Sequence, residues 1–213
     1  MTGIRVALVD DQALFRAGIR MLVSSQHDLE FVGEAGDGEA GIAMVAATSP
    51  DVVLMDIRMP VLDGIEATKS IVAADRGTRV IVLTTFDLDE AAARAIRGGA
   101  SGFVLKDAEP ELLLAAIRAV HSGSSVIAAS ATKELFEHFG GERSAVPLEY
   151  EQLTVREREI FLLAARGLSN AEIAKHEFLS EATVKTHISR VLGKLSLRDR
   201  VQLVVFAYEH GIV

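Results

Sequence analysis

Five short apolar runs alternate with stretches of helical spacing up to residue 120, and this alternation constrains the fold more than any other feature. The runs are rich in Val, Ile and Leu and lie at 6–9, 31–32, 52–55, 80–83 and 103–105. The helical stretches lie at 13–23, 39–47, 65–73, 90–96 and 111–120. Alternating strands and helices form a parallel sheet with right-handed crossovers. The sequence therefore predicts an α/β domain with a doubly wound five-stranded sheet, each strand being buried on both faces.

A change of pattern after His121 indicates a linker. Residues 123–150 contain one helix-like piece, at 131–139, followed by Gly140-Gly141 and Pro147. Such segments commonly join domains. We predict a first domain over 1–122, a linker with a short helix over 123–150, and a second domain over 151–213.

The second domain is predicted to be all-α, with four helices in quick succession. Two capping boxes, Thr154 with Glu157 and Ser169 with Glu172, mark the first two helix starts. Candidate caps for the third and fourth helices are Ser180 and Asp199. Short helices without a strand pattern are typical of a small helical bundle.

The bulk composition narrows the class of protein. The chain has no cysteine, which excludes disulfides and thiolate metal sites. No apolar run is long enough to span a bilayer, so a cytoplasmic protein without a membrane partner is expected. Most of the net charge of −8 comes from residues 1–120, whereas residues 180–200 hold five Lys or Arg and two Asp or Glu. That basic segment fits either phosphate binding or a solvated helix face.

Polar residues follow four of the predicted strands. Asp10 and Asp11 follow the first strand, Asp56 the third, Thr84 the fourth and Lys106 the fifth. The carboxyl ends of parallel strands share one edge of the sheet, where ligands bind. Clustered carboxylates favour a hard divalent cation such as Mg²⁺, and a lysine with a hydroxyl suits a transferred phosphoryl group. Asp11 has a second interpretation as the cap of the first helix.

These residues and their neighbours resemble the receiver domains of the NarL/FixJ response regulators. The resemblance lies in Asp10-Asp11, Thr84 and the segments 55–60 (MDIRMP), 63–64 (DG) and 99–107 (GASGFVLKD). It covers residues 4–120 and implies a flavodoxin-like sheet of strand order 2-1-3-4-5.

The resemblance also implies a role for each pocket residue. Asp56 would accept a phosphoryl group from a sensor histidine kinase, Lys106 would pair with that group, and Thr84 would move towards it. The Mg²⁺ ligands would be Asp10, Asp11, Asp56 and the backbone carbonyl of Arg58. Phe103 would be the aromatic switch residue, although a core position explains it equally well. Such a protein is a phosphoacceptor with at most slow self-dephosphorylation, and not an enzyme.

Two enzymatic alternatives compete with this interpretation. Residues 36–41 (GDGEAG) fit the dinucleotide pattern G-x-G-x-x-G, but Asp37 and Glu39 would place negative charge where a pyrophosphate must approach. Asp37 is better explained as the cap of the second helix. A phosphatase of the haloacid dehalogenase family would carry a second Asp two residues after the nucleophile, where this chain has Arg58.

Residues 154–213 resemble the LuxR-type helix-turn-helix, most clearly over 156–159, 167–174 and 180–187. On its third helix, a buried stripe is predicted from the spacing of Val184, Ile188, Val191 and Leu195. That spacing leaves outward Lys185, Thr186, Ser189, Arg190 and Lys194. By resemblance and helical facing, Lys185, Thr186 and Ser189 would approach base edges of promoter DNA. Phosphate contacts would come from Thr183, Arg190 and Asn170.

The last helix carries an apolar stripe with two interpretations. Its members are Val201, Val204, Val205 and Tyr208. Two-fold operators require two-fold protein, which favours a homodimer contact on activation; core packing is the alternative. A regulator of the same fold that switches without phosphate is a further alternative for the whole chain.

Overall fold

The five apolar runs form one parallel sheet in the computed structural model. The strands are β1 (Ile4–Val9), β2 (Leu29–Ala35), β3 (Val52–Asp56), β4 (Arg79–Thr84) and β5 (Gly102–Leu105). They pair in the order β2-β1-β3-β4-β5, and every pair is parallel. The predicted flavodoxin-like fold class and strand order are confirmed.

Burial differs between the centre and the edges of this sheet. All five residues of β3 are buried, as are most of β1 and β4. The edge strands β2 and β5 are only partly buried. The prediction that every strand is buried on both faces is therefore wrong for these two edge strands, whose side chains are less covered than those of the central strands.

In the described part of the first unit, five helices accompany the strands. They are α1 (Ala13–Ser24), α2 (Gly38–Thr48), α3 (Gly64–Ala74), α4 (Glu90–Arg97) and α5 (Pro110–His121). Asp37 caps α2 as predicted, since its Oδ1 accepts from the Ala40 N–H at 2.8 Å. The predicted capping role of Asp11 is wrong, because Gln12 is the residue that precedes α1.

Close packing explains the glycines of the dinucleotide-like pattern. A Cβ at Gly38 would lie 2.5 Å from the Leu62 carbonyl oxygen, and one at Gly41 would lie 2.8 Å from Cγ1 of Val9. Side chains at both positions would collide with neighbouring atoms. These glycines allow α2 to approach β1 and the loop after β3, so they have a purpose that does not involve a nucleotide.

The described part of the second unit contains helices and no strands. Its helices are α6 (Leu148–Glu151), α7 (Val155–Ala165), α8 (Asn170–Glu177), α9 (Glu181–Lys194) and α10 (Arg200–Glu209). Both capping boxes are present, and Ser180 and Asp199 cap α9 and α10 as predicted. The core of this unit contains Ile160, Phe161 and Ile173. It also contains the stripe predicted for the third helix, which consists of Val184, Ile188, Val191 and Leu195.

The structure describes residues 3–74, 77–84, 90–123 and 145–213. The chain divides into two compact units, Met1–Val126 and Ile127–Val213. The predicted linker helix at 131–139 lies outside the described residues, and the linker bounds 123–150 stay a prediction. Within the described ranges, no helix combines the length and the apolar character needed to cross a bilayer.

Candidate functional site

The polar residues predicted at the strand ends lie together in one pocket. Its lining residues are Asp11, Gln12, Asp56, Ile57, Arg58, Thr84 and Lys106. Four of the five strands, β1, β3, β4 and β5, supply it at or just after their final residues, because parallel strands end at the same edge. The pocket is therefore a direct product of the sheet topology.

Three carboxylates meet at this end of the sheet, two lining the pocket and the third, Asp10, buried beside it. Asp10 and Asp56 are buried and Asp11 is exposed, and one oxygen from each lies within 4.8 Å of the others. Like charges this close repel each other unless a cation joins them. Asp10 Oδ1 accepts from the Gln12 N–H at 2.8 Å, and Asp10 Oδ2 is buried beside the Lys106 ammonium. An all-oxygen cluster of three carboxylates fits Mg²⁺.

Lys106 supplies the positive charge of the pocket. Its Nζ lies 2.8 Å from Asp10 Oδ2 and 2.9 Å from Asp56 Oδ2. The Lys106 N–H donates to the Thr84 carbonyl at 2.7 Å, which fixes the end of β5 beside β4. The ammonium also lies 5.2 Å from the centre of the Phe15 ring. The lysine is thus aimed at the two buried carboxylates and not at solvent.

The pocket changes the protonation of both partners. Burial raises the pKa of the Asp56 carboxyl, and the hydrogen bond and charge of Lys106 offset part of that rise. Burial alone would lower the pKa of the Lys106 ammonium, but its hydrogen bonds and charge interactions with Asp10 and Asp56 raise it. Lys106 is therefore a permanent cation near neutral pH, beside a carboxylate that is costly to keep charged.

The loop after β3 is shaped closely around Asp56. A Cβ at Gly64 would lie 1.8 Å from the Asp56 carbonyl oxygen, so only glycine fits there. Asp63 Oδ1 accepts from the Ile65 and Glu66 N–H groups and so caps α3. Val61 has a φ of 68°, and the Leu62 N–H donates to the Pro60 carbonyl across it. This tight turn returns the chain to α3.

Arg58 and Phe103 were also expected at this site. The Arg58 N–H donates to Asp56 Oδ1 at 3.4 Å, and Arg58 lines the pocket. A metal-binding role for its carbonyl stays a prediction. Phe103 is half-buried on β5, which leaves both the switch interpretation and the core interpretation open.

Sequence reasoning missed Arg16 as a neighbour of the pocket. Its Nη1 donates to the Asp10 carbonyl at 2.7 Å, and its Nε lies 3.6 Å from Glu34 Oε1. Arg16 therefore ties α1 to the end of β1 just below the acidic cluster. Helical spacing placed Arg16 on α1, but no sequence pattern indicated a bond to a backbone carbonyl.

The face of α9 matches the expected facing of a recognition helix. The four stripe residues named above are buried, and Lys185, Thr186, Ser189 and Arg190 are exposed. Thr183 is half-buried, and its hydroxyl lies 2.8 Å from the Ser180 Oγ. The structure thus presents a polar face near the N-terminus of α9, while the DNA roles of these residues stay predictions.

Lys194 faces outward but also makes two hydrogen bonds within the helical unit. Its Nζ donates to Glu157 Oε2 at 2.6 Å and to the Gln152 carbonyl at 3.3 Å. Glu157 is buried and also accepts from the Thr154 N–H in the capping box. Lys194 is exposed as expected, and a buried carboxylate at the start of α7 also binds its ammonium. The hydrogen bond from Lys194, with that from Thr154, lowers the pKa of Glu157 to about 2.

Asn170 is engaged by a residue that sequence reasoning did not single out. Asn170 Oδ1 accepts from Arg200 Nη1 at 2.9 Å, and Arg200 is buried. Arg200 was counted only as part of the basic segment. A capping aspartate precedes it, so the sequence indicated the start of α10 but not the inward direction of the side chain.

The stripe proposed for dimerisation lies on α10. Val201, Val204 and Val205 are buried in the chain, and Tyr208 is half-buried. The core of the helical unit takes Leu203 and Ala207 from this helix. A dimer contact through the stripe therefore requires that its valines become exposed.

Comparison with known proteins covers both units. Residues 6–118 match the response regulator receiver domain, and residues 151–207 match the LuxR family of bacterial regulatory proteins. The uncharacterized transcriptional regulatory protein YxjL of Bacillus subtilis is 46% identical over 99% of this chain and 97% of its own. The nitrate/nitrite response regulator NarL of Escherichia coli is 34% identical over 97% and 96%. The crystal structure of ChrA, a response regulator of a heme-sensing two-component system, is 34% identical with full coverage of both chains and a TM-score of 0.54.

Proposed function

Because the chain belongs to the NarL/FixJ response regulators, which join a receiver domain to a LuxR-type DNA-binding domain, we propose that Asp56 is its phosphorylation site. A sensor histidine kinase would supply the phosphoryl group. The new bond forms between an Asp56 carboxylate oxygen and phosphorus while the phosphorus–nitrogen bond of the phosphohistidine breaks. The imidazole keeps the electron pair and takes a proton from water.

The observation that supports this proposal is the ammonium of Lys106 beside the buried carboxylate of Asp56. Lys106 Nζ lies 2.9 Å from Asp56 Oδ2 at the edge where three carboxylates meet. A transferred phosphoryl group carries charge on several oxygens and needs fixed cations around it. Lys106 is already in place to pair with one of those oxygens, and Thr84 lines the same pocket.

Asp10, Asp11 and Asp56 are the residues that would hold Mg²⁺, with the Arg58 carbonyl as a fourth ligand. When bound, the ion neutralises charge on the phosphoryl oxygens. The three carboxylates fit this role because one oxygen of each can reach a common point. Their mutual repulsion also makes the cluster selective for a cation.

Phosphorylation would control the DNA-binding unit and its dimerisation. Conversion of the Asp56 carboxylate to an aspartyl phosphate replaces one negative charge with about two, and Lys106 and Thr84 would rearrange around the phosphoryl group. Phe103, on β5, would transmit that rearrangement. The dimer would use Val201, Val204, Val205 and Tyr208, and would place two copies of α9 on one two-fold promoter site.

On promoter DNA, the exposed face of α9 would lie in the major groove. Lys185, Thr186 and Ser189 would approach base edges because they lie near the N-terminus of that helix. Thr183, Arg190 and Asn170 would contact phosphates, which orient the protein without reading sequence.

Intact-mass measurement tests the acceptor directly. The parent chain, incubated with acetyl phosphate and Mg²⁺, is expected to gain one phosphoryl group, and Asp56→Asn is expected to gain none. Asp107→Asn is the matched control, since Asp107 is an exposed carboxylate beside Lys106, and it should react like the parent. A phosphoryl group on Asp56→Asn would refute Asp56 as the site.

The same samples separate the proposal from a phosphate-independent regulator. If phosphorylation controls output, phosphorylated parent binds a duplex of its own upstream region more tightly than unmodified parent, and Asp56→Asn shows no such change. No mass gain in the parent, combined with equal DNA binding by parent and Asp56→Asn, would favour the phosphate-independent alternative.

A further inference from the structure

Arg200 is a buried cation held by neutral oxygen atoms. Its Nη1 donates to Asn170 Oδ1 at 2.9 Å, and its Nη2 donates to the carbonyl of Leu168 and, at 3.5 Å, to that of Ala164. Burial lowers the pKa of the guanidinium to about 10, so it stays charged at neutral pH. A buried charge costs desolvation free energy, which hydrogen bonds to its donors must offset. One arginine on α10 thus joins the end of α7 to the start of α8.

The bond from Arg200 fixes which way the Asn170 carboxamide faces. A guanidinium only donates hydrogen bonds, so the atom facing Arg200 must be the carbonyl oxygen of the amide. The Nδ2 group, with its two donors, consequently faces away from Arg200. Asn170 is the first residue of α8 and is partly exposed. An amide held at its oxygen end leaves the nitrogen end available for an acceptor.

We propose that Arg200 is a positioning residue for DNA binding, which orients Asn170 so that its Nδ2 donates to a phosphate oxygen of the duplex. This inference rests on the proposed function, because it takes Asn170 as a phosphate contact. It goes beyond that function by assigning a buried residue of α10, which does not itself face the DNA, to the phosphate-binding surface.

The charge of Arg200 also favours phosphate binding near Asn170. Glu172 lies in the first turn of α8, where its carboxylate accepts from the Ser169 N–H at 2.7 Å. Hydrogen bonds from the Ser169 backbone and hydroxyl lower the pKa of Glu172, and the charge of Arg200 adds to this. An ionised Glu172 repels phosphate. The nearby guanidinium offsets that repulsion at the helix terminus where Asn170 must meet the DNA backbone.

A double-mutant cycle tests whether Arg200 acts through Asn170. The variants are Asn170→Ala, Arg200→Lys and both together, and the probe is a short fluorescent duplex of mixed sequence at low salt. Arg200→Lys keeps the positive charge but lacks the fork that holds two acceptors at once. Loss of one hydrogen bond to a charged phosphate weakens binding about tenfold. Each single variant is expected to lose that factor, and the double variant no more than either.

Asn170→Asp provides a measurement that keeps Arg200 intact. This variant retains an acceptor for Arg200 but replaces both Nδ2 donors with a carboxylate oxygen. Its melting temperature is expected to equal or exceed that of the parent, while its affinity for the duplex falls at least about tenfold. Because the added carboxylate also repels phosphate, this variant tests whether position 170 faces the DNA backbone, and the double-mutant cycle tests whether Arg200 acts through Asn170.

The outcomes distinguish this inference from the proposed function. Multiplying losses in the double variant, or parental affinity in Asn170→Asp, would overturn the positioning role while DNA binding by the parent stands. A parent chain that fails to bind the duplex in low salt would instead refute the proposed function, and the inference with it.

Discussion

The buried carboxylate of Asp56 destabilises the unit that contains it. Its pKa is raised by burial above the ordinary value of 3.8, so the folded state binds a proton more tightly than the unfolded chain does. The sign follows from linkage: as pH rises above that ordinary value, ionisation costs folding free energy, and the cost persists at neutral pH. Lys106 reduces this cost without removing it.

Asp56→Asn is therefore expected to stabilise the chain at neutral pH in buffer with a chelator. The gain should be about 1 kcal/mol in the free energy of unfolding, because a neutral amide replaces a partly compensated buried charge. Urea unfolding followed by circular dichroism measures it. Repeating the titration below the ordinary pKa of Asp56 serves as the control, since the difference should shrink there; a destabilised variant at neutral pH would contradict the argument.

Val61 stores strain at the tip of the loop that follows Asp56. Its φ of 68° lies in the left-handed region, which a β-branched residue rarely adopts, and the side chain is 79% exposed, so packing offers no compensation. Val61→Gly is expected to raise the free energy of unfolding by about 1 kcal/mol after the entropic cost of glycine. Thermal melting of Val61→Gly and of the control Val61→Ala, which keeps most of the strain, should rank glycine higher. Equal melting temperatures would mean that the turn is unstrained.

At the scale of elements, the sequence predicted each strand and helix of the first unit. The hydrophobic periodicity and the residues that begin and end each element agree there. The strand order and the meeting of Asp10, Asp56 and Lys106 at one edge followed from the alternating pattern and the family resemblance. What the pattern could not reveal were bonds that depend on three-dimensional proximity. Arg16 reaches the carbonyl of Asp10, and Lys194 reaches Glu157 across 37 residues. Neither spacing nor residue type encodes such a pair.

The contact between Glu157 and Lys194 joins the start of α7 to the end of α9. Hydrogen bonds from Lys194 and Thr154 lower the pKa of Glu157 from 4.5 to about 2. A lowered pKa contributes stability that is fully present above about pH 4.5 and is lost as the pH falls towards 2. The helical unit is therefore expected to lose stability across that window.

Glu157→Gln isolates this contribution. The variant should melt at a lower temperature than the parent near neutral pH, and the difference should disappear as the pH is lowered through the window set by Glu157. Melting curves at a series of pH values provide the measurement. Glu159→Gln is the control, since Glu159 is an exposed carboxylate on the same helix. A difference between parent and Glu157→Gln that is independent of pH would show that the ion pair adds nothing.

At the scale of the whole molecule, burial of the α10 stripe bears on how the chain would assemble. Val201, Val204 and Val205 are buried in the single chain, and apolar residues in a dimer contact must be accessible to a partner. Two chains with this stripe buried therefore cannot dimerise through it. Such a dimer requires a prior change that exposes the stripe, and phosphorylation is the proposed cause, so dimerisation should depend on the state of Asp56.

Tyr208→Glu tests this dependence with little risk to folding, because Tyr208 is half-buried and lies outside the core of the helical unit. Light scattering during gel filtration should show phosphorylated parent as a dimer and phosphorylated Tyr208→Glu as a monomer, since a buried charge at an interface costs several kcal/mol. Both should gain one phosphoryl group by mass. Phe178→Glu is the matched control, because Phe178 is 96% exposed between α8 and α9 and should leave dimerisation unchanged. A dimer of Tyr208→Glu as stable as that of the parent would place the contact elsewhere on the chain.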